Sequence, residues 1–350
     1  VSLAVTALTL GRCESLMEAI RLRKLNPFFR NIFGRKVYKV GLWGGFTCPN
    51  RDGTLSEEGC SFCNPLSSRP ATCSSGRSIE EQYTKGSKYI SRRFKVSAFL
   101  PYFQDYTTTY GDIGQLMDKY RRAASFPGAV GLALCTRPDC IPEPLLKGLE
   151  ELSRERFLWV ELGVQTFDDE LLKDMNRCHG AEDTAEAFRR LHEKKILSAA
   201  HMILGYPGSS GDTVKNDAGR IRELGVAGIK LQNFHVVKDT PMAARFRKDG
   251  FQLQSVEDYM EDVIQFLEHT HPDTVILRLT GDAPARMTVA PEWSLDKMKL
   301  LDGIKNEMAR RGTWQGKSLG YCRKELRKPS GLSKRFRITA DTIADDPPAS

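Results

Sequence analysis

From residue 37 onward, the sequence alternates between short apolar runs and longer stretches whose apolar residues recur every three or four positions. The short runs predict strands and the longer stretches predict amphipathic helices. The predicted strands cover 37–43, 96–103, 129–135, 157–166, 197–205 and 226–237, and helices are expected near 78–92, 112–124, 142–154, 181–194 and 211–224. This alternation indicates βαβ units around a parallel sheet.

The number of these units and the lack of a glycine-rich motif favour a barrel over a dinucleotide-binding fold. No Gly-x-Gly-x-x-Gly follows the first predicted strand, so six units suggest an α/β fold with a partial (β/α)6 barrel of the TIM type. A helix at 255–269, a run at 274–281 and a helix at 295–311 are expected to extend it. We expect four regions: an N-terminal extension (1–26), the barrel core (27–250), a C-terminal α/β extension packed on the core (251–317) and a basic, partly disordered tail (318–350).

Composition and charge restrict the class of protein. With 40% hydrophobic and 27% charged residues, the chain of 350 residues is globular. The apolar run 3–10 is far shorter than the roughly 20 residues that span a bilayer, and it lacks the marks of a secretory signal. We therefore expect a cytoplasmic protein without membrane contact.

The net charge is +8, and basic residues cluster near the C-terminus at Lys317, Arg323, Lys324, Arg327, Lys328, Lys334, Arg335 and Arg337. This cluster suits RNA, or equally a solvated helix and tail.

Three of the nine cysteines, Cys48, Cys60 and Cys63, are spaced C-x11-C-x2-C directly after the first predicted strand. A zinc site would normally need a fourth Cys or His, and none lies nearby in the sequence. Incidental thiols on a turn-rich loop would leave the Cys-x-x-Cys pair unexplained. An iron–sulfur cluster fits better, because thiolates are its usual ligands. With three ligands, one iron of a cubane cluster would keep an open position for chemistry.

Polar residues also occur at the ends of predicted strands, where α/β barrels carry their active sites. Arg137 and Asp139 follow the third strand and could clamp a carboxylate or phosphate, or form a structural ion pair. Cys135 and Cys140 could be a redox pair, a group carrier or a hydrogen donor, although packing is the simpler role for Cys135. The remaining thiols, including Cys178, show no partner pattern.

Two polar residues lie within otherwise apolar strands. Glu161 requires a partner and is expected inside the barrel. His201 is either a buried structural histidine or a catalytic one. His235 and Lys238, at the end of the sixth strand, are candidates for substrate contact.

The cysteine loop, with Phe62 just before its last cysteine, and the six βα units that follow resemble the radical S-adenosylmethionine (radical SAM) superfamily. The usual spacing there is C-x3-C-x2-C, and the longer first gap makes "GGFTCPNRDGTLSEEGCSFC" similar to the YhcC-type family. The resemblance continues through "TRPDC", "WVELGVQT", "HMILGYPG", "FHVVKDTPMA" and "LTGDAP", and it covers roughly residues 27–317.

This resemblance implies a 4Fe–4S cluster on Cys48, Cys60 and Cys63 whose open iron binds S-adenosyl-L-methionine. It implies an enzyme that generates a 5′-deoxyadenosyl radical with an electron from a reductant such as flavodoxin or ferredoxin. The expected cofactor contacts are Phe62 at the adenine, Gln165 at the ribose or methionine, Tyr102 and Gln104 in place of a Gly-Gly-Glu-like segment, and Glu161. The expected catalytic residues are Arg137, Asp139, Cys140 and His201.

The substrate is the less determined part of this hypothesis. "TRPD", "VELGVQ", "NRCH" and "AHMILGYPG" also resemble the radical domain of the Elongator catalytic subunit, which modifies wobble uridine in transfer RNA and usually has Gly in place of Cys178. No acetyltransferase domain follows, so its acetyl-coenzyme-A chemistry is not expected. A tRNA nucleoside is therefore the favoured substrate. An anionic small molecule or a protein is the alternative, and a non-catalytic metal- and RNA-binding protein is the hypothesis from another class.

Overall fold

A computed structural model describes residues 20–64, 66, 77–281 and 283–332. Within this part of the chain, seven parallel strands form one sheet, and their order in the sheet is their order in the sequence. They are β1 (Val37–Leu42), β2 (Ala98–Phe103), β3 (Gly131–Thr136), β4 (Phe157–Gln165), β5 (Leu197–Leu204), β6 (Gly228–Asn233) and β8 (Val275–Arg278). The curled parallel sheet is a partial TIM-type barrel, which confirms the predicted fold class.

Helices connect the strands, and most of them cover the outer face of the sheet. They are α1 (Leu25–Phe33), α2 (Ile79–Phe94), α3 (Ile113–Ala124), α4 (Glu143–Glu155), α5 (Asp169–Asp174), α6 (Ala181–Glu193), α7 (Gly211–Glu223), α8 (Pro241–Asp249), α9 (Val256–Glu268) and α10 (Lys297–Arg310). Within the described ranges, no helix is long and apolar enough to cross a bilayer.

The predicted run 226–237 divides into two elements. β6 ends at Asn233, and β7 (Val236–Val237) leaves the barrel to pair antiparallel with β9 (Thr288–Ala290). The run 274–281 contributes the seventh strand of the main sheet.

The division of the chain into four regions remains a prediction. Residues 1–19 of its N-terminal extension and residues 333–350 of its tail lie outside the described residues.

Side-chain caps start several helices just beyond the strand ends. Ser78 accepts a hydrogen bond from the Glu81 amide, and the Glu81 carboxylate accepts one from the Ser78 amide, forming a capping box for α2. Asp112 and Asp168 cap α3 and α5 more simply, each with one carboxylate oxygen that accepts from amides of the first helical turn. Because these caps satisfy exposed amide groups at helix starts, they hold the helices close to the carboxyl edge of the sheet.

The inside of the barrel is closed at the amino-terminal ends of the strands. Phe28, Phe29 and Phe33 of α1 pack edge-on against Phe157 and Trp159 of β4. All five rings are buried. This aromatic layer therefore closes the barrel at this end.

Candidate active site

The three cysteines of the C-x11-C-x2-C loop lie together beyond the carboxyl end of β1. Burial and the neighbouring thiols of Cys60 and Cys48 raise the pKa of Cys63 to about 11. Burial would also raise the pKa of Cys60, but the guanidinium of Arg177, helped by Asn50 and Arg137, outweighs it and lowers that pKa. Arg177 Nη1 lies 3.1 Å from Cys60 Sγ, and Asn50 Nδ2 lies 3.4 Å from it.

This donor set fits an iron–sulfur cluster, because three thiols lie in electrostatic contact and one has a cation beside it that favours the thiolate. In the described ranges, no three or more His, Cys, Asp or Glu side chains are grouped so that they could hold one metal ion. Three thiolates of a cubane cluster need not converge in that way, since each binds a different iron.

A segment after α5 holds the cysteine loop in place. Asn50 Nδ2 donates to the Asn176 carbonyl at 2.6 Å, and Asn176 Nδ2 donates to the Gly59 carbonyl at 2.8 Å. The Ser61 amide donates to the Met175 carbonyl at 2.9 Å. The shape of the loop therefore depends on a segment more than one hundred residues away in the sequence.

Cys178 belongs to the same segment and was missed as a site residue by the sequence analysis. Its Sγ donates to Asn50 Oδ1 at 3.0 Å, and Asn50 in turn contacts Cys60. Cys178 has φ of 54°, in the left-handed region that favours glycine. A glycine would adopt this conformation without strain.

Arg137 and Asp139 form a bidentate ion pair after β3. Arg137 Nε and Nη2 lie 3.0 and 2.8 Å from the two carboxylate oxygens of Asp139. The Arg137 side chain is only 4% exposed, and its Nη1 is buried with no hydrogen-bond partner among the described residues. Burial alone would lower the pKa of Arg137, but Asp139 and the nearby thiols of Cys140 and Cys48 raise it. The guanidinium therefore stays charged.

Cys140 lies beside this ion pair. Its Sγ is 3.9 Å from Asp139 Oδ1, and burial together with the Asp139 charge raises its pKa to about 12. The group is therefore a thiol at neutral pH.

Gln165 and Arg177 meet above the end of β4. Gln165 is buried with φ of 73°, and a side chain at Gly163 would lie 3.0 Å from Gln165 Nε2. Arg177 Nη2 donates to the Gly163 carbonyl at 2.6 Å. Phe62 and Gln104 are half-buried, on the cysteine loop and directly after β2. Their contacts with a cofactor remain predictions.

A second group of polar residues lies inside the barrel around Glu161, which is completely buried. Its carboxylate accepts hydrogen bonds from Tyr102 at 2.7 Å and from His201 Nε2 at 2.6 Å, and it pairs with the ammonium of Lys39. Lys230 Nζ lies 3.9 Å away. Burial would raise the pKa of Glu161, but Lys39, His201 and Lys230 outweigh it and hold that pKa well below its usual range.

His201 is uncharged in this group. Burial and Lys230 lower its pKa to about 4. Because Nε2 then carries the proton donated to Glu161, Nδ1 is free to accept from the Cys135 thiol at 3.8 Å. Burial and the Glu161 charge raise the pKa of Cys135 to about 12, so the thiol keeps its proton.

The structure thus divides the predicted site residues into two groups. Arg137, Asp139 and Cys140 lie near the cysteine loop, and Tyr102, Glu161 and His201 lie in the interior. The sequence analysis missed Asn50, Arg177, Cys178, Lys39 and Lys230. Lys39 and Lys230 could have been found from their position in apolar strands, by the same argument that identified Glu161.

Replacing Glu161 with Gln should lower the free energy of unfolding by about 3–5 kcal/mol, because it leaves Lys39 and Lys230 without a carboxylate partner. Urea unfolding at pH 7 measures the effect. Glu186→Gln is the matched control, since Glu186 pairs with Arg189 on an exposed helix face and such pairs contribute little. An equally small loss in both variants would contradict the electrostatic role of Glu161.

Comparison with known proteins agrees with this geometry. Residues 48–221 match the family model of the radical SAM superfamily, and residues 226–310 match the radical SAM C-terminal domain. Among curated proteins, YtqA of Bacillus subtilis is 34% identical over 85% of this chain and 92% of its own length. YhcC of Escherichia coli is 34% identical over 81% of this chain and 92% of its own length.

Two further matches are more distant. The tRNA uridine(34) acetyltransferase of Methanocaldococcus infernus is 29% identical over 46% of this chain and 30% of its own length. The solved structure of the Elp3 protein of Methanocaldococcus infernus with an N-terminal deletion has a TM-score of 0.59 at 19% identity, covering 80% of this chain and 64% of that one, which shows a shared fold. The radical SAM superfamily uses a 4Fe–4S cluster and S-adenosylmethionine. Together, the family models and the two relatives show that this chain is a radical SAM enzyme of the family that contains YtqA and YhcC.

Proposed function

We propose that this radical SAM enzyme modifies a nucleoside of transfer RNA and that Cys48, Cys60 and Cys63 hold its cluster. The observation that carries the cluster assignment is the grouping of these thiols beside Arg177 at the carboxyl edge of the barrel. When bound, the reduced cluster and S-adenosylmethionine supply reductive carbon–sulfur cleavage and abstraction of a hydrogen atom from the substrate.

The protein's own residues prepare this edge for both groups. Arg177 and Asn50 donate hydrogen bonds to Cys60 Sγ, which stabilises the thiolate that iron requires. Arg137 keeps a buried nitrogen that suits a carboxylate, and Asp139 holds its guanidinium in one orientation. Phe62, Gln104 and Gln165 lie on the loop and strand ends around the same edge, as cofactor contacts would require.

The tRNA part of the proposal is supported by the similarity to an enzyme named for tRNA uridine 34. Exposed basic side chains after α10 offer a surface for RNA, among them Lys317, Lys324 and Lys328. Arg23 holds this segment at the amino-terminal end of the sheet by donating to the Glu325 and Lys328 carbonyls. Lys334, Arg335 and Arg337 lie outside the described residues.

Cys60→Ala should abolish cluster assembly, because it removes the thiol that Arg177 and Asn50 hold. Iron and acid-labile sulfide are measured after anaerobic reconstitution. Cys322→Ala is the control, since Cys322 is exposed and lies between Lys317 and Lys324, outside the cysteine loop. Full iron and sulfide content in Cys60→Ala would refute the ligand assignment.

Loss of the gene should remove or change one modified nucleoside of transfer RNA. Digested tRNA from cells with and without the gene is compared by liquid chromatography and mass spectrometry. A plasmid copy should restore the nucleoside, and a Cys60→Ala copy should not. An unchanged nucleoside profile would reject tRNA as the substrate and favour an anionic small molecule or a protein.

A further inference from the structure

One layer inside the barrel departs from the packing that such barrels normally have. Interior layers of TIM-type barrels are usually filled by branched aliphatic side chains. The aromatic layer of Phe157 and Trp159 beneath is apolar and buried. The next layer is polar, with one side chain from each of six strands, namely Lys39, Tyr102, Cys135, Glu161, His201 and Lys230. A core layer that breaks the apolar rule indicates a functional site.

Solvent reaches this polar layer from inside the barrel. The side chains of Lys39 and Lys230 are 20% and 13% exposed although both lie in the middle of strands, and Cys135, near the end of its strand, is half-buried. Ile203 and Gln232, two positions further along β5 and β6 on the same face, are also half-buried. The opening therefore continues upward to the edge where the cysteine loop lies.

The layer carries more positive than negative charge. Two ammonium groups, Lys39 and Lys230, face a single carboxylate, Glu161, because His201 is neutral. Glu161 is already bonded by Lys39, Tyr102 and His201. The further charged group near Lys230 is Arg278 of β8, which is also a cation.

Lys39 and Lys230 differ in how they are held. Lys39 pairs directly with Glu161 and lies over the Tyr102 ring at 4.4 Å. Lys230 Nζ lies farther from both partners, at 5.8 Å from the Tyr102 ring and 3.9 Å from Glu161, and within the described ranges it donates no hydrogen bond. Burial and the neighbouring Arg278 lower the pKa of Lys230 to about 8, although Glu161 opposes this effect. A purely structural lysine would be expected to bond as Lys39 does.

We propose that the polar layer is a substrate subsite in which Lys230, supported by Lys39, binds an anionic group, either a carboxylate or a phosphate. An oxyanion there would take up the unused N–H donors of Lys230 in charge-assisted hydrogen bonds and balance the excess charge. It would anchor the substrate at the floor of the barrel and leave its other end facing the cysteine loop. This inference rests on the proposed radical chemistry at that edge but not on tRNA as the substrate.

The test measures anion binding rather than turnover. Reconstituted enzyme saturated with S-adenosylmethionine is titrated calorimetrically with inorganic phosphate and, separately, with acetate, at constant ionic strength. We expect one of them to bind wild type and Lys230→Arg, and Lys230→Met to raise its Kd at least about tenfold. Binding of phosphate indicates a phosphorylated substrate, and binding of acetate indicates a carboxylate.

Lys215→Met is the matched control, since Lys215 Nζ also lies 3.9 Å from a carboxylate, that of Asp212, but on an exposed helix. It should bind the anion as wild type does. Lys230→Gln repeats the test if Lys230→Met does not fold. Equal binding by wild type and by Lys230→Met or Lys230→Gln, or no binding of either anion to wild type, would overturn the subsite. Because the tRNA nucleoside profile is measured independently, a failure here leaves the proposed substrate standing.

Discussion

The contact between Arg177 and Cys60 is the interaction on which the candidate active site depends. Arg177 joins two separate parts of the barrel edge, because Nη1 meets Cys60 Sγ and Nη2 donates to the Gly163 carbonyl at the end of β4. The same guanidinium opposes the effect of burial on the Cys60 pKa. It therefore positions the loop and favours the thiolate, which are the two conditions for binding iron.

The polar layer below this edge divides the barrel into regions with different tasks. The aromatic contacts of α1 with Phe157 and Trp159 provide stability at the closed end. The cysteine loop and Arg137 provide thiol and guanidinium groups at the open end. Between them, Glu161 gathers side chains from four other strands, which ties the electrostatics of the interior to the integrity of the sheet.

Local patterns were sufficient to predict the fold and to single out the cysteine loop, but not the residues that support it. Strands and helices repeat with periods that a short window of sequence reveals, so all six predicted strands occur near their expected positions. α5, with six residues, is too short for such a pattern, and β7 is defined by its partner β9. The supports of the cysteine loop were missed for a related reason. Asn50 and Cys178 are separated by 128 residues and meet only because parallel strands end at one edge.

The central claim is that three thiols hold a 4Fe–4S cluster with one iron free for S-adenosylmethionine. Mössbauer spectroscopy of wild-type protein, reconstituted anaerobically with ⁵⁷Fe and sulfide, tests it most directly. We predict a cluster of four irons in which the signal of one iron shifts when S-adenosylmethionine is added. A colourless protein that retains one zinc ion, or a cluster whose four irons are all unaffected by S-adenosylmethionine, would contradict the account.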